Sequence, residues 1–282
     1  KMETIIGLGS AGCNIAEKFS KYKQYDIYKI DSDKWPGPQF KKIPRRDSHE
    51  DYEKTCPSLK SFFKNAAPPY LFILGGSGTI TGASLRVLQQ LNSKNISILY
   101  IKPDISLMSK TKQLQERVVF QVLQQYTRSD NFKKMYIVSN SVVEEILGGI
   151  PITEYYNKIN DLIVDTVHMI NIFENTKPII NTFSDPILTA RMATFGVINV
   201  LDGVKKMFYP LEMPREHRFY YSCDKQQLDS DQHLYKNITE QVKNAANDDV
   251  KASYGIYPNE YSQNYGYVVS SATLIQEENI NF

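Results

Sequence analysis

The stretch Leu74-Gly75-Gly76-Ser77-Gly78-Thr79-Ile80-Thr81-Gly82-Ala83-Ser84 is typical of a loop that holds phosphate. It follows a short apolar run at residues 70–73 and precedes a helix-like segment at residues 84–91. Glycines allow backbone N–H groups to approach an anion, hydroxyl side chains add donors, and a helix N-terminus adds partial positive charge. The sequence therefore predicts an anion site between a strand and a helix.

A second glycine loop lies at the start of the chain. Residues 4–6 predict a strand, Gly7-Leu8-Gly9-Ser10-Ala11-Gly12-Cys13-Asn14 follows, and a helix is predicted over residues 15–22. Gly7, Gly9 and Gly12 match the dinucleotide pattern, and Asp31 ends the next predicted strand, where a ribose-binding acid is expected. A nicotinamide or flavin enzyme is therefore one alternative, although such a fold needs no second Gly/Thr-rich loop. No Gly-x-x-x-x-Gly-Lys-Ser/Thr motif is present.

Composition narrows the choice of function. The 282 residues are 41% hydrophobic and 23% charged, which is ordinary for a globular protein, and the net charge of +2 indicates neither nucleic acid nor a membrane as a partner. No run is long enough to span a membrane, and no signal peptide is recognisable, so we expect a cytoplasmic protein. Three scattered cysteines predict free thiols and no metal site: Cys13, Cys56 and Cys223.

Alternating strands and helices predict an α/β protein with a doubly wound parallel sheet. Further strands are expected at residues 96–101 and 135–138, with a short helix near residues 59–65. Apolar spacing predicts one long helix over residues 153–174. The predicted organisation is a nucleotide-binding domain at 1–152, a central helix at 153–174 and a smaller α+β domain at 175–282. Within the last, Asp185 before Pro186 is expected to begin a helix that runs towards Asn199.

The two loops together resemble those of the tubulin/FtsZ family. The family's first loop, Gly-x-Gly-Gly-Gly-Gly-x-Asn, aligns with residues 7–14 without gaps. Its signature Gly-Gly-Gly-Thr-Gly-Thr/Ser-Gly aligns with residues 76–82, with departures at Ser77 and Ile80. Divergent phage- or plasmid-type tubulins are the most similar in kind. The resemblance implies a nucleotide-binding set: Gly9, Ser10, Ala11, Gly12, Asn14, Asp31, Asp33, Gly76, Ser77, Gly78, Thr79, Ile80, Thr81, Asn140, Tyr156 and Asn160.

Further segments extend the resemblance. The segment containing Asp31 and Asp33 is similar to a family loop near metal and phosphate, and Lys102-Pro103 is similar to a family turn. Beyond that turn, Leu107 and Met108 stand where the family has Glu and Gly. Asn140 is expected to read the base. On the long helix, Tyr156 is expected to stack on guanine and Asn160 to bond its edge, although aromatic residues at helical spacing also pack in cores.

A last segment resembles the family's catalytic loop, Asn-x-Asp-Phe-Ala-Asp. Residues 180–185 retain Phe183 and Asp185, whereas Ile180 and Thr182 replace the Asn and the first Asp. The resemblance implies a GTPase that binds GTP or GDP with Mg²⁺ and forms a head-to-tail homopolymer. Asp185 of one subunit would orient water at its neighbour's nucleotide. The departures leave open a second alternative, a structural protein with the tubulin fold and no hydrolysis.

Overall fold

The computed structural model describes residues 2–277, which form two compact units. Of the described residues, the first unit contains 2–161 and 275–277, and the second is Leu162–Leu274. The division falls inside the long helix Tyr155–Glu174. The sequence-based division into 1–152, 153–174 and 175–282 stays a prediction.

The described part of the first unit contains a six-stranded parallel sheet. Its neighbours run in the order β3-β2-β1-β4-β5-β6, and each adjacent pair is parallel. Central strands are apolar along their whole length because parallel sheets are covered on both faces. The strands are β1 Glu3–Leu8, β2 Tyr25–Asp31, β3 Phe40–Lys42, β4 Tyr70–Gly75, β5 Ile96–Lys102 and β6 Lys134–Ser139.

Helices alternate with these strands, which confirms the predicted α/β class. Within residues 2–174 they are α1 Gly9–Lys18, α2 His49–Lys54, α3 Ser84–Gln89, α4 Lys110–Arg128, α5 Asn140–Leu147 and α6 Tyr155–Glu174. The predicted long helix is confirmed in α6.

The strand order reverses between β1 and β4. The chain leaves β1 towards β2 on one side, and it leaves β4 towards β5 on the other. In open α/β sheets, ligands bind outside the carboxyl ends of the strands at such a switch point. The two glycine loops of the sequence follow β1 and β4, so the topology brings both to this crevice.

Two local expectations differ from the structure. The first helix begins at Gly9, six residues earlier than predicted, so the loop's own amides open the helix. Residues 59–65 form turns. The short helix of this region is instead α2, at residues 49–54. Its first turn is stabilised because the Asp51 amide donates to Ser48 Oγ at 3.1 Å. A short polar segment with one cap gave too weak a periodic signal to be recognised.

The second unit is an α+β body built on a mostly antiparallel sheet. Across Leu162–Leu274 the order is β8-β12-β10-β11-β7, with β9 beside β8, and only the β10–β11 pair is parallel. The strands are β7 Ile180–Asn181, β8 Met192–Ile198, β9 Lys205–Met207, β10 Glu216–Asp224, β11 Lys251–Asn259 and β12 Tyr265–Ala272.

Two helices follow β10, namely α7 Lys225–Ser230 and α8 Leu234–Ala245. Leu234, Ile238 and Val242 line one face of α8 and pack in a buried cluster with Phe219 and Ile256 of the sheet. Spacings of three and four residues place these apolar side chains on one side of the helix. The charged residues of α8 face outward.

The helix predicted from Asp185 towards Asn199 is wrong. After a turn at residues 188–189, the chain forms β8, which pairs with β9 and β12. Thr194, Phe195 and Val197 favour a strand. A Cβ on Gly196 would lie 2.4 Å from Met207 Sδ, so the close approach of β9 requires glycine there.

Candidate functional site

A cleft of 770 Å³ opens at the switch point of the first unit. Both glycine loops line it, together with residues from the loop after β5 and the N-terminal ends of α5 and α6. The residues predicted from the sequence that line this cleft are Gly9, Ser10, Ala11, Asn14, Ser77, Gly78, Ile80, Thr81, Asn140, Tyr156 and Asn160.

The first loop presents a helix N-terminus to the cleft. Leu8 at the cap position is extended and makes no side-chain cap hydrogen bond, and the described α1 has no acidic residue in its first turn. Gly9 has φ of +77°, a conformation that favours glycine. The first backbone N–H groups of a helix have no partner within the helix, so the amides and the helix dipole at Gly9–Ala11 suit an anionic ligand.

Glycine at Gly12 serves packing. A Cβ there would lie 2.2 Å from the Ile73 carbonyl oxygen on β4, so α1 sits against the sheet at backbone distance. Gly12 does not line the cleft.

The second loop combines close contact with open space. A Cβ on Gly75 would lie 2.6 Å from Ala11 Cβ of the first loop, and one on Gly76 would lie 2.1 Å from Tyr100 Oη. A Cβ on Gly78 would meet no atom nearer than 3.7 Å. Gly75 and Gly76 therefore fix the loop, and Gly78 leaves room for a ligand beside it.

Ile80, a departure from the family signature, packs between the loops. It is buried and lines the cleft, and its Cγ2 atom is 2.7 Å from the position of a Cβ on Gly9. The branched side chain thus fills the space that the missing Gly9 side chain leaves. The substitution joins the two loops by apolar contact.

A buried ion pair lies under the second loop. Lys102 Nζ is 2.7 Å from Glu116 Oε1, and Tyr100 Oη donates to the same oxygen at 2.8 Å. Lys102 Nζ also lies 4.2 Å from the centroid of the Phe120 ring. The lysine of the predicted turn is therefore engaged by the protein beneath Gly76.

His49 on α2 supports the far end of the same loop. Its Nε2 atom is 3.4 Å from Thr81 Oγ1, and Thr81 Oγ1 in turn donates to the Gly78 carbonyl at 2.6 Å. Burial lowers the pKa of His49, against the opposing effect of its hydrogen bond with the Gly78 backbone. A neutral imidazole is favoured beside the loop.

At the other end of the cleft, Asn140 is the most informative side chain. Its Oδ1 atom is buried and accepts no hydrogen bond. Buried carbonyl oxygens are ordinarily paired, so an orphan acceptor in a cleft indicates a donor supplied by a ligand. Asn160 is buried, whereas Tyr156 one turn away on α6 is 65% exposed and offers its ring to the cleft.

Five predicted residues do not line the cleft: Gly12, Asp31, Asp33, Gly76 and Thr79. The Asp31 carboxylate accepts from the Ser32 amide at 2.7 Å and from Trp35 Nε1 at 2.8 Å. Asp33 is paired with Arg45. The sequence places Asp31 and Asp33 at a predicted strand end, but it does not show that other side chains pair with them. Because Asp31 is occupied, the structure also lacks support for a ribose-binding acid there.

The cleft contains residues that the sequence analysis did not assign to it, among them Asp104, Glu144 and Tyr155. Tyr155 Oη donates to Glu144 Oε2 at 2.8 Å, and burial together with this bond raises the pKa of Tyr155 to about 12. The Tyr155 and Tyr156 rings meet edge to face at 5.0 Å. Glu144 and Tyr155 lie on different helices, so no contiguous motif could identify the pair.

Solved structures with a similar fold include three from different sources. The TubZ of Bacillus thuringiensis serovar israelensis, in a GTPγS-form protofilament, matches with a TM-score of 0.76 and 14% identity over 97% of this chain and 87% of that one. CetZ1 of Haloferax volcanii, a GDP-bound monomer, matches at 0.71 and 13% over 99% and 95%. An FtsZ dimer of M. jannaschii matches at 0.68 and 11% over 96% and 88%. No family model and no curated protein match the sequence.

The chain has the tubulin/FtsZ fold. The predicted resemblance is therefore confirmed for the fold. Because the identities are low, the roles of individual residues rest on this chain's own geometry.

The tubulin/FtsZ fold of this chain places Asp185 on the second unit. Asp185 is exposed in the segment between β7 and β8, and it is absent from the residues lining the described cleft. The acidic side chains that do line the cleft are Asp104 and Glu144. Asp104 Oδ1 accepts from the Ser106 amide at 3.1 Å, and Glu144 accepts from Tyr155.

The cysteines of this tubulin/FtsZ-fold chain are all free thiols, as predicted. Burial raises the pKa of Cys13 far above its ordinary value and that of Cys223 to about 12, so neither is a ready nucleophile. Among residues 2–277, no group of three His, Cys, Asp or Glu side chains could hold a metal ion. Over the same residues, no helix has both the length and the apolar character needed to cross a bilayer.

Proposed function

We propose that this protein binds GTP, assembles head to tail with copies of itself, and hydrolyses GTP at the contact between copies. The observation that carries the proposal is the orphan Asn140 Oδ1 in a cleft whose opposite end has an uncapped α1 and open space at Gly78. At the Asn140 end an acceptor has no hydrogen-bond donor, and at the α1 end the backbone amides suit an anion. A nucleotide satisfies both.

The phosphates would bind between Gly9–Ala11 and Ser77–Thr81. Amides at the start of α1 and hydroxyls of Ser10, Ser77 and Thr81 are the donors that line this end of the cleft. The contacts of Ile80 with Gly9 and of Gly75 with Ala11 hold the two loops at a fixed separation. Preorganised donors of this kind stabilise charge without further rearrangement.

The base would bind near Asn140, Tyr156 and Asn160. A guanine edge presents adjacent N–H donors, which complement the unpaired carbonyl of Asn140. The exposed Tyr156 ring offers a stacking surface, and Asn160 lies one helical turn along the same face of α6. These roles favour guanine over a base whose matching ring position is an acceptor.

Mg²⁺ would be held chiefly by the phosphates and water. Mg²⁺ usually keeps several waters and takes one or two carboxylates together with phosphate oxygens. Asp104 and Glu144 line the cleft, and each already accepts a hydrogen bond. The ion would neutralise phosphate charge.

Hydrolysis would require a second copy. Asp104 and Glu144, the acidic side chains lining the cleft, each accept a hydrogen bond from a neighbour in the same copy, so we assign the orientation of water to a carboxylate of a second copy. Asp185 is exposed and able to meet another molecule. A contact between unlike surfaces that does not close makes a filament, and similar folds are seen in filaments of TubZ from Bacillus thuringiensis.

The test is GTP turnover per molecule over a range of protein concentrations, with sedimentation to measure assembly and a separate measurement of GTP affinity. We expect turnover per molecule to rise steeply where polymer appears. Tight GTP binding and polymer without turnover would instead support a structural protein without hydrolysis. NAD in the purified protein would support a nicotinamide enzyme.

A further inference from the structure

The segment that carries Asp185 is bound along its backbone by charged side chains of β10 and β11. Lys251 Nζ donates to the Asp185 carbonyl at 2.8 Å, and Arg218 Nη1 donates to the Ser184 carbonyl at 2.9 Å. The Ile187 amide donates to Glu216 Oε1 at 3.0 Å. Three of four consecutive residues around Asp185 are therefore held by side chains from the sheet.

Strand register explains why Lys251 meets Asp185. The short β7 pairs antiparallel with β11, with Asn181 opposite Gly255. The Thr182 amide continues this ladder by donating to the Tyr254 carbonyl at 2.9 Å. Continuing the same register residue by residue places Asp185 opposite Lys251. The regular strand ends at Asn181, and beyond Thr182 the segment is held by side chains such as that of Lys251.

Packing of Phe183 fixes the segment from the other side. A Cβ on Gly255 would lie 2.5 Å from Phe183 Cε2, so the ring lies directly on the β11 backbone. Arg218 Cζ lies 4.5 Å from the centroid of the Phe183 ring and the Tyr220 ring centroid is 5.3 Å away. Arg218 therefore contacts the segment twice, through the ring and through the Ser184 carbonyl.

Glu216 organises the two cations. It is opposite Lys251 in the β10–β11 register, and its side chain is 1% exposed. Its Oε2 atom lies 3.7 Å from Arg218 Nη1 and 3.8 Å from Lys251 Nζ. These are ion-pair distances and not hydrogen bonds, so the buried carboxylate attracts both cations towards the segment, and their N–H groups donate to its carbonyls. We call Glu216, Arg218 and Lys251 the clamp.

The clamp holds a part of the backbone that is not in a helix. No helix begins at Asp185, so helical hydrogen bonds do not hold this residue. The clamp contacts carbonyl and amide groups and leaves the Asp185 carboxylate exposed. An exposed carboxylate on a fixed backbone is what orientation of a water molecule requires.

We propose that Glu216, Arg218 and Lys251 are positioning residues for Asp185, which set its carboxylate for water orientation at the nucleotide of another copy. This inference rests on the proposed function. Lys251 is the best residue to change because its side chain is one-third exposed, whereas that of Glu216 is buried. Lys251→Met keeps most of the aliphatic stem and removes the donor to the Asp185 carbonyl.

The experiment compares the unchanged protein, Lys251→Met, Lys251→Arg and the matched control Lys236→Met, which changes an exposed lysine of α8. Each protein is assayed for GTP affinity below the assembly threshold, for assembly with GTPγS, and for turnover per polymerised subunit. Hydrogen exchange of peptides spanning residues 182–189 is measured in unassembled protein. Asp185→Asn is included to test the proposed function itself.

We expect Lys251→Met to lower turnover per polymerised subunit by about 10-fold or more, since misplacing a catalytic group by about 1 Å costs up to about 100-fold. GTP affinity and GTPγS assembly should stay within about twofold of the control, because the cleft is untouched. Exchange in residues 182–189 should be faster than in Lys236→Met, and Lys251→Arg should restore most of the turnover.

Equal turnover and equal exchange in Lys251→Met and Lys236→Met, with Asp185→Asn inactive, would overturn the clamp and leave the proposed function standing. Lost turnover accompanied by an equal loss of GTPγS assembly would also overturn it, since Lys251 would then be an assembly contact. Wild type that assembles without turnover, or an Asp185→Asn protein as active as wild type, would overturn the proposed function and this inference with it.

Discussion

The cleft of the first unit and the Asp185 segment of the second are held in place by different forces. Around the cleft, small residues allow close packing, as where Gly12 meets the Ile73 carbonyl behind the first loop and Gly75 meets the Ala11 side chain between the loops. The Asp185 segment is held by hydrogen bonds that Lys251 and Arg218 donate to it and by one that it donates to Glu216. Changes in the cleft should therefore alter folding and binding, whereas changes in the segment should alter turnover.

The largest effect is expected at Asp185. Asp185→Asn keeps the shape of the side chain and removes its charge, so turnover per polymerised subunit should fall by about 100-fold or more. GTP affinity below the assembly threshold should be unchanged, because Asp185 does not line the cleft. Single-turnover assays on sedimented polymer provide the measurement. A fall in GTP affinity of similar size would contradict the separation of the two regions.

The next effect is on folding of the cleft. Gly12→Ala forces a Cβ against the Ile73 carbonyl and should lower the free energy of unfolding by about 3 kcal/mol. Gly78→Ala is the matched control, because open space surrounds its Cβ position and Gly78 has an extended backbone that alanine adopts freely. Urea unfolding of both variants measures the difference. Equal stabilities would show that α1 is not packed at backbone distance.

Acid is expected to weaken the unit that holds Asp185. Burial, aided by Lys205, lowers the pKa of His217 from 6.5 to about 4 in the folded protein, so the unfolded chain binds its proton first as pH falls. The stability from neutral His217 is complete above about pH 6.5 and is lost towards about pH 4. Between about pH 7 and about pH 5 the expected loss is about 2 kcal/mol.

Denaturant unfolding of wild type and His217→Gln at these two pH values measures that loss. The variant should be less stable at neutral pH, because it loses the contact of His217 Nδ1 with Ser270 Oγ at 2.6 Å, and it should change less with pH. An identical pH dependence in both proteins would assign the acid sensitivity to other groups.

The smallest effect is expected at the base end of the cleft. Asn140→Ala removes the orphan acceptor and should weaken GTP binding by about 10-fold, the cost of one hydrogen bond to a buried group. Stability should change little or rise, since the free protein leaves Asn140 Oδ1 unsatisfied. Calorimetric titration of both proteins with GTP and with ATP measures the change in nucleotide affinity. An equal loss for both nucleotides would contradict a role in recognising guanine.

The sequence was most informative where neighbours along the chain are also neighbours in the site. Both glycine loops are contiguous, and each follows a strand, so their meeting at the switch point could be predicted from the strand pattern alone. The long helix carrying Tyr156 and Asn160 was also predictable, because its apolar spacing persists over 20 residues.

Side-chain hydrogen bonds and long-range strand pairing could not be predicted in this way. The carboxylate of Asp31 accepts a hydrogen bond from Trp35, and that of Glu144 accepts one from Tyr155. Both depend on side-chain geometry that no sequence pattern shows. Residues 192–198 form β8 and not a helix because they pair with other strands. Those partners lie far along the chain, as where Met192 pairs with Ala272, so the pairing could not be predicted locally. The clamp on Asp185 depends on the same long-range pairing.

The most direct test of an intersubunit site is to mix two variants that are each inactive. Asp185→Asn keeps the cleft, and Gly78→Val keeps Asp185 but puts a branched side chain into the space beside the phosphate loop. Each protein is assayed alone and in an equal mixture, at a fixed total concentration above the assembly threshold. If Asp185 acts on a neighbour's nucleotide, the mixture regains turnover, up to about one quarter of the wild-type rate, because one contact in four pairs an intact cleft with an intact Asp185. A mixture that forms polymer containing both variants and remains as inactive as its components would contradict the account.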